Sequence, residues 1–94
     1  MSDVDKVLKE RGERYNLNGT YADHASLTQD LKDRCRAHDG WDNASLTADM
    51  KESIDMILHK IARIINGDPT YNDNWKDCEG YARLISRTLN DDNG

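Results

Sequence analysis

The sequence lacks the features that mark several common protein classes. It contains no phenylalanine and one proline, and no β-branched run alternates with polar residues, so there is little basis for a β-sheet. No apolar run approaches the length of a membrane span, and residues 1–15 have no signal-peptide core. We therefore expect a cytoplasmic protein with no membrane segment.

Patterns typical of metal-binding and disulfide-bonded proteins are also missing. Cys35 and Cys78 lie far apart with no CxxC spacing, which predicts reduced, packed thiols. His24, His38 and His59 are scattered without HxxxH spacing, which argues against a zinc site. Neither a phosphate-binding glycine loop nor a GxSxG nucleophile motif is present.

The charge balance narrows the range of partners. The 94 residues carry a net charge of -5, which argues against non-specific binding to nucleic acid or to an anionic membrane. A small anionic ligand in one local basic pocket remains compatible with this charge. Only 36% of the residues are apolar, a low share for a monomer, so we expect a homo-oligomer.

The spacing of the apolar residues predicts an all-α fold, a small antiparallel bundle of four helices. We predict a single domain spanning 1–94 with a disordered tail at 90–94. The predicted helices cover residues 3–13, 21–38, 48–66 and 72–89. Thr20, with Asp23 three residues later, and Thr47 are the predicted N-caps of the second and third helices.

The packing faces of these helices are predicted from the same spacing. In the third helix the apolar residues fill an arc of about 160°, wide enough for two partner helices. Asn66-Gly67 then ends this helix and Pro69 prevents its continuation, so the last two helices form a hairpin around Asn66–Pro69. The predicted packing seam of the second helix is Ala25, Leu27, Leu31 and Cys35, and that of the last helix is Tyr71, Trp75, Cys78, Ala82, Ile85 and Leu89.

The third predicted helix has a second, polar face. Glu52, Asp55, His59 and Arg63 lie within about 80° of one another. This face is either a solvated surface with i,i+4 charge pairs or a line of carboxylates and cations that faces a cleft.

A second group of carboxylates lies on the last predicted helix. Asp73 and Asp77 are one turn apart and offer the hard oxygen ligands that Mg²⁺ requires. The alternative is that they pair with Lys60 and Arg63 across the hairpin. Gly80, inside the same helix, indicates a close approach by backbone or ligand.

Two arginines and a tyrosine also lie close together in the sequence near the N-terminus. Arg11, Arg14 and Tyr15 precede an Asn/Gly turn; arginine suits phosphate, and tyrosine offers a face on which a base stacks. The alternative is that Tyr15 packs at a helix end and the arginines are solvated.

Several motifs together resemble a known family. "RGERYN", the spacing through "YADHA", "GWDNASLTADMKESIDMILHKIARIINGDP" and "YNDNWKDCEGYARL" are similar to a family of small helical proteins of unknown function encoded by tailed phages and prophages. The resemblance covers about residues 8–89. More remotely, the chain resembles the phage nucleotide-modification-associated domain and the all-α MazG-type nucleotide pyrophosphohydrolases, whose bundles hold Mg²⁺ with helix-borne carboxylates.

The resemblance implies a set of site residues. Its pattern falls on Arg11, Gly12, Tyr15, Lys60, Arg63, the corner Asn66–Pro69, Asp73, Trp75, Asp77, Gly80 and Tyr81. There are departures from the related patterns. Asn16 stands where a glycine is expected, and the nearest matches to the ExxE and ExxD motifs of MazG-type enzymes are Glu52-x-x-Asp55 and Asp73-x-x-x-Asp77.

The function that the sequence favours is that of a phage accessory protein in the cytoplasm of an infected bacterium. It would bind a nucleotide or a nucleotide-derived signal, either to sequester a host immune nucleotide or to support phage nucleotide metabolism. The expected ligand-binding residues are Arg11, Lys60 and Arg63 for phosphates and Tyr15, Trp75 or Tyr81 for a base.

Three alternatives remain open. A Mg²⁺-dependent pyrophosphohydrolase would hold its metal with Glu52, Asp55, Asp73 and Asp77. An inhibitor of a host enzyme would act through its acidic surface. A purely structural bundle would use its charge pairs only to fix the register of its helices.

Overall fold

The structure is a computed structural model that describes residues 20–93, with side chains described over 20–90. Helix α1 is Tyr21–Arg36, α2 is Ala48–Asn66 and α3 is Asn72–Asn93, and a 3₁₀ turn at Asp39–Asp42 follows α1. This part of the chain contains no strand, so the predicted all-α class is confirmed. The predicted helix at 3–13 lies outside the described residues, so a bundle of four helices stays a prediction.

The starts of α1 and α2 are capped as the sequence predicts. The Thr20 Oγ1 accepts a hydrogen bond from the Asp23 N at 3.2 Å, and the Asp23 Oδ2 accepts one from the Thr20 N at 3.0 Å. The backbone hydrogen bond from Thr20 lowers the pKa of Asp23. In α2, the Thr47 Oγ1 accepts from the Met50 N at 3.3 Å. These contacts satisfy amide groups that a first helical turn leaves without a helical partner.

The end of α2 differs in its chemistry from the predicted glycine stop. Gly67 has a φ of -129°, which is outside the left-handed region that a glycine C-cap uses. Instead, the Asn66 Nδ2 donates to the Ala62 carbonyl oxygen at 3.1 Å and satisfies an acceptor in the last turn.

The connection from α2 to α3 is a turn built on Asp68. Its Oδ1 accepts from the Thr70 N at 2.9 Å, and its backbone oxygen accepts from the Tyr71 N at 3.1 Å. Aspartate in the first position and Pro69 in the second are the residues that such a turn favours. The hairpin around Asn66–Pro69 is therefore confirmed, and turn chemistry rather than a left-handed glycine produces it.

Helix α2 is the central element of the described structure. It packs against both α1 and α3, whereas α1 and α3 make at most marginal contact over the residues described. Asp55 of α2 pairs with Arg36 of α1, and Lys60 pairs with Asp77 of α3. The neighbouring helices run antiparallel, as predicted.

The rotation of α1 about its axis differs from the prediction. The predicted seam of Ala25, Leu27, Leu31 and Cys35 is only half-buried. His24 and Thr28 are the buried residues of α1, and the Thr28 Oγ1 donates to the His24 carbonyl oxygen at 2.7 Å. That hydrogen bond satisfies the buried hydroxyl, which is why a threonine occupies a packed position.

The predicted seam of α3 is correct for half of its residues, since Tyr71, Cys78 and Ile85 are half-buried, and wrong for the other half. Trp75, Ala82 and Leu89 are exposed, and Asn74 is buried in their place. The side that α3 turns toward α2 carries Asn74, Cys78, Tyr81 and Ile85. This stripe has the same helical spacing as the predicted one, and spacing alone does not distinguish two adjacent stripes.

The end of α3 lies beyond the predicted boundary at 89. The helix continues to Asn93, into the segment for which the sequence analysis expects a disordered tail. Asparagine and aspartate are weak helix formers, but neither proline nor glycine interrupts residues 90–93. Among the helices described here, none is both long enough and apolar enough to cross a membrane.

Candidate functional site

An ion pair joins two of the predicted site residues across the hairpin. The Lys60 Nζ lies 2.9 Å from the Asp77 Oδ2. The Lys60 side chain is only 11% exposed, whereas that of Asp77 is 48% exposed, so the pair lies at the edge of the α2–α3 interface. Of the two alternatives for Asp77, the structure supports pairing with Lys60.

The second carboxylate of α3 has a local partner. The Tyr71 hydroxyl donates to the Asp73 Oδ2 at 2.8 Å. Asp73 and Asp77 lie one turn apart on the same side of α3. Both carboxylates therefore project from one side of α3, and Tyr71, the residue before the helix, orients that of Asp73.

Trp75 lies away from these carboxylates. It is two residues from each of them, so it projects about 200° away around the helix. Its indole Nε1 donates to the Pro69 carbonyl oxygen at 2.8 Å, while the ring is 54% exposed. The structure therefore does not bring Trp75 together with Asp73 and Asp77. Tyr81, another predicted stacking residue, is half-buried on the side of α3 that faces α2.

The polar face of α2 is turned toward α1. The Asp55 Oδ2 accepts a hydrogen bond from the Arg36 Nη2 at 2.7 Å, and His59 packs against His24. Glu52, on the same face, is exposed. The prediction of a solvated face is wrong for Asp55 and His59, because these side chains form the contact with α1.

The same arginine also contacts an aromatic ring. The Arg36 guanidinium carbon lies 4.9 Å from the ring centroid of Trp41, and the Lys51 Nζ lies 5.4 Å from it. Both distances are within the range of cation–π interactions. Trp41 is half-buried, and these contacts attach the 3₁₀ turn to α1 and α2.

The four predicted metal ligands do not form one cluster. Asp55 lies against α1, Asp73 and Asp77 lie on α3, and Glu52 is exposed on α2. Within the described part of the chain, no group of three or more histidine, cysteine, aspartate or glutamate side chains is placed to hold a metal ion.

The structure instead brings together two histidines that the sequence analysis set aside as scattered. The rings of His24 and His59 meet edge to face, with centroids 4.7 Å apart and planes at 88°. His24 is almost fully buried and hydrogen-bonds to the backbone of Ala62. The sequence indicated this contact only indirectly. If the helices predicted at 21–38 and 48–66 pack antiparallel, the beginning of the first lies beside the end of the second, which brings His24 near His59.

Cations lie near these rings. Burial is the main cause that lowers the pKa of His59 to about 4, and Arg63, His24, Lys60 and Lys32 contribute to the same shift. Burial also lowers the pKa of His24, as do Arg63 and Lys60, while the hydrogen bond to Ala62 opposes the shift. Both imidazoles are consequently neutral at neutral pH. We refer to His24, His59, Lys60 and Arg63 as the imidazole cluster.

An exposed aromatic ring borders the imidazole cluster. The centroid of Tyr21 lies 5.9 Å from that of His24, with the planes tilted by 45°. Tyr21 is the first residue of α1 and its side chain is exposed. The sequence analysis missed it because it weighed Tyr15, which, like Arg11, lies outside the described residues.

Gly80 has no close neighbour among the described residues outside its own stretch of helix. A Cβ at this position would meet nothing within 4 Å among the residues described. The interpretation of Gly80 as a point where another described backbone segment approaches is therefore wrong. The two cysteines are free and half-buried, and burial raises the pKa of the Cys78 thiol.

Comparison with known proteins supplies no assignment for this arrangement. No protein-family model matches the chain, no curated protein matches its sequence, and no solved structure matches its fold.

Proposed function

We propose that this protein binds a nucleotide or a nucleotide-derived signal, with the phosphate groups at the imidazole cluster. The observation that carries the proposal is electrostatic. The charged side chains that lower the pKa of His59 are Arg63, Lys60 and Lys32, all of them cations, in a chain whose net charge is -5. A locally positive site in an acidic protein attracts a small anion while the rest of the surface repels nucleic acid.

The chemistry of the cluster suits phosphate. Arg63 presents a guanidinium, the group best matched to phosphate oxygens, and the neutral imidazole of His59 offers one N–H donor. Lys60 contributes charge from the same turn of α2, partly balanced by Asp77. The exposed ring of Tyr21 beside His24 offers a surface on which a base stacks.

The wider biological role rests on the resemblance to phage-encoded helical proteins. A phage accessory protein that sequesters a host immune nucleotide, or that supports phage nucleotide metabolism, requires binding and no turnover. In this proposal the segment 3–13 supplies a fourth helix to the bundle, and Arg11 and Tyr15 supply further phosphate and base contacts.

The proposal is tested by isothermal titration of the full chain with mononucleotides, triphosphates and cyclic dinucleotides. We expect at least one of these ligands to bind, and the corresponding nucleoside without phosphate to bind at least about tenfold more weakly. Each titration is run with and without Mg²⁺, and the ligand is analysed afterwards. Unchanged ligand is the expected result.

Two variants locate the site. Arg63→Gln is expected to weaken binding about tenfold or more, and Tyr21→Ala by about 5- to 150-fold, the range for loss of one stacked base. Arg34→Gln is the matched control, since Arg34 is an exposed arginine on α1 and is not part of the cluster. An equal effect of Arg34→Gln and Arg63→Gln would mean that only the overall charge matters.

Other outcomes would overturn the proposal. Release of pyrophosphate in the presence of Mg²⁺ would instead indicate the pyrophosphohydrolase, with metal held by carboxylates such as Asp73 and Asp77. Absence of affinity for the whole panel, together with specific capture of a host enzyme, would indicate the inhibitor.

A further inference from the structure

The described helices form one layer. On α2, Lys60 faces α3 and Asp55 faces α1, and the two residues are about 140° apart around the helix. Helices α1 and α3 therefore flank opposite sides of α2 and hardly touch each other. A layer of three helices has two broad faces, and a second layer is normally required to bury a core.

The two faces of this layer differ in polarity. Ile64 and Asn74 are buried between α2 and α3, and the residue after each, Ile65 or Trp75, lies about 100° further around its helix. Because the two helices are antiparallel, a step of one residue along either helix turns toward the same side of the layer, so Ile65 and Trp75 lie on one side. Ile65 is 57% exposed and Trp75 is 54% exposed, so two large apolar side chains are adjacent and uncovered on that side.

The same rotation from the packed side of each helix places further apolar residues on this side of the layer: Leu31 and Ile61, which are half-buried, and Ala82 and Leu89, which are exposed. We call this side the apolar face, and its main residues are Leu31, Ile61, Ile65, Trp75, Ala82 and Leu89. Asp73, Asp77 and Arg63 project from the opposite face. Among the described residues the only buried hydrophobic side chains are Ala62 and Ile64, so most of the apolar content of the layer lies outside a closed core. An exposed patch of this kind marks an interaction surface.

The pattern along α3 is self-complementary. Trp75, Ala82 and Leu89 are spaced by seven residues, so they form one stripe, and the small residue lies midway between two large ones. In an antiparallel crossing of two such helices about a twofold axis, Ala82 meets Ala82 of the partner subunit and Trp75 meets the partner's Leu89. An isologous interface requires this relation, in which each contact occurs twice.

The helix predicted before Thr20 matches the dimensions of the apolar face less well than a second copy of the chain does. The helix predicted at 3–13 carries Val4, Val7 and Leu8 as its apolar side and is about 17 Å long. The apolar face is wider than this, because it extends over three helices with axes spaced by about 8–10 Å. A helix of the predicted length would be too short to cover the whole face.

We propose that the apolar face is the interface with a second copy of this chain, with the α3 stripe at its centre. The proposal is independent of the nucleotide site, which lies at the imidazole cluster. The centre of such an interface is apolar.

Two leucines of α3 provide a matched test. Leu89 is 43% exposed in the stripe, and Leu84 is 58% exposed on the other flank of the same helix. The mass of the full chain in solution is measured by light scattering and sedimentation over a range of concentrations. We expect twice the chain mass of 10.7 kDa, or a larger assembly built from such dimers.

Leu89→Lys is expected to weaken the dimer by more than about 100-fold, because each dimer contains the buried charge twice. Leu84→Lys is expected to leave the dimer unchanged. Both side chains are exposed in one chain, so both variants should retain the helical circular dichroism of the wild type. Ala82→Arg, at the centre of the stripe, is a second disrupting variant.

Three results would overturn the proposal. The first is a wild type that stays monomeric at high concentration. The second is a dimer that Leu84→Lys and Leu89→Lys weaken equally. The third is a monomer that Leu89→Lys destabilises much more than Leu84→Lys does, which would indicate residues 1–19 of the same chain as the occupant of the face.

Discussion

The Lys60 Nζ lies 2.9 Å from the Asp77 Oδ2, and the two partners differ strongly in their exposure to solvent. Lys60 is nearly enclosed between α2 and α3, whereas about half of the Asp77 side chain contacts water. The ammonium therefore depends on the carboxylate for compensation of its charge, but the carboxylate retains hydration without the ammonium.

This asymmetry predicts unequal effects of removing the two partners. Asp77→Asn should lower the free energy of unfolding by about 1–2 kcal/mol, since it leaves an enclosed ammonium without its counter-charge. Lys60→Met should cost less than about 1 kcal/mol, because the methylene chain stays packed. Urea denaturation measures both changes. In the double variant most of the Asp77→Asn effect should disappear, and additive effects would contradict the prediction.

Gly80 allows a second prediction. A Cβ there meets no described atom within 4 Å, so Gly80→Ala should raise the free energy of unfolding by about 0.5–1 kcal/mol through the higher helix propensity of alanine. Thermal and urea denaturation measure this gain. Destabilisation would instead show that another molecule, or residues outside 20–93, contacts this position. A stabilised variant with tenfold weaker nucleotide affinity would place the ligand beside the glycine.

The sequence predicts where the helices begin and end better than it predicts which side of each helix is buried. Local chemistry specifies the ends: Thr20 and Thr47 cap α1 and α2, and Asp68 with Pro69 makes the turn before α3. The rotation of α1 and α3 about their own axes depends on which stripe of each helix packs against α2. The buried Thr28 and Asn74 are polar, so a prediction based on apolar spacing assigned them to the outside.

The candidate site was predictable only in part, for the same reason. The pairing of Asp77 with Lys60 across the hairpin was one of the two alternatives that the sequence offered for this carboxylate, and the structure shows it. The His24–His59 contact joins residues on non-adjacent segments of the sequence, and no short-range motif links them. The pairing of Asp55 with Arg36 has the same origin, since helical spacing alone did not show that the polar face of α2 contacts α1.

The environment of Trp41 leads to a third prediction. The Arg36 guanidinium carbon lies 4.9 Å and the Lys51 Nζ 5.4 Å from the centroid of its ring, so cation–π attraction and the packing of the ring both attach the 3₁₀ turn. Trp41→Leu should reduce the free energy of unfolding by about 1–3 kcal/mol, and Trp41→Phe, which keeps an aromatic face, by less than half of that. Chemical denaturation monitored by circular dichroism measures the difference. Equal losses in the two variants would show that volume alone matters.

The His24–His59 contact predicts how stability depends on pH. The pKa of His59 falls from 6.5 to about 4 on folding, with burial as the main cause, so the folded protein resists protonation that the unfolded chain accepts. The unfolded state binds more protons below pH 6.5, and the free energy of unfolding must therefore decrease as the pH falls from about 6.5 toward 4. After allowance for solvent screening, we expect His59 to account for a loss of about 1–2 kcal/mol between pH 7 and pH 5.

His59→Gln should flatten this part of the pH profile, measured by urea denaturation at half-unit intervals between pH 5 and pH 7.5. Some slope should remain, because burial lowers the pKa of His24 as well. His38→Gln is the matched control: His38 is exposed just beyond the end of α1, so its removal should leave the slope of the wild type intact. Above pH 7 the His59→Gln profile should run parallel to that of the wild type, since the imidazole is neutral there in both the folded and the unfolded state. A His59→Gln variant that keeps the full acid sensitivity would show that groups other than the imidazole cluster control stability in this range.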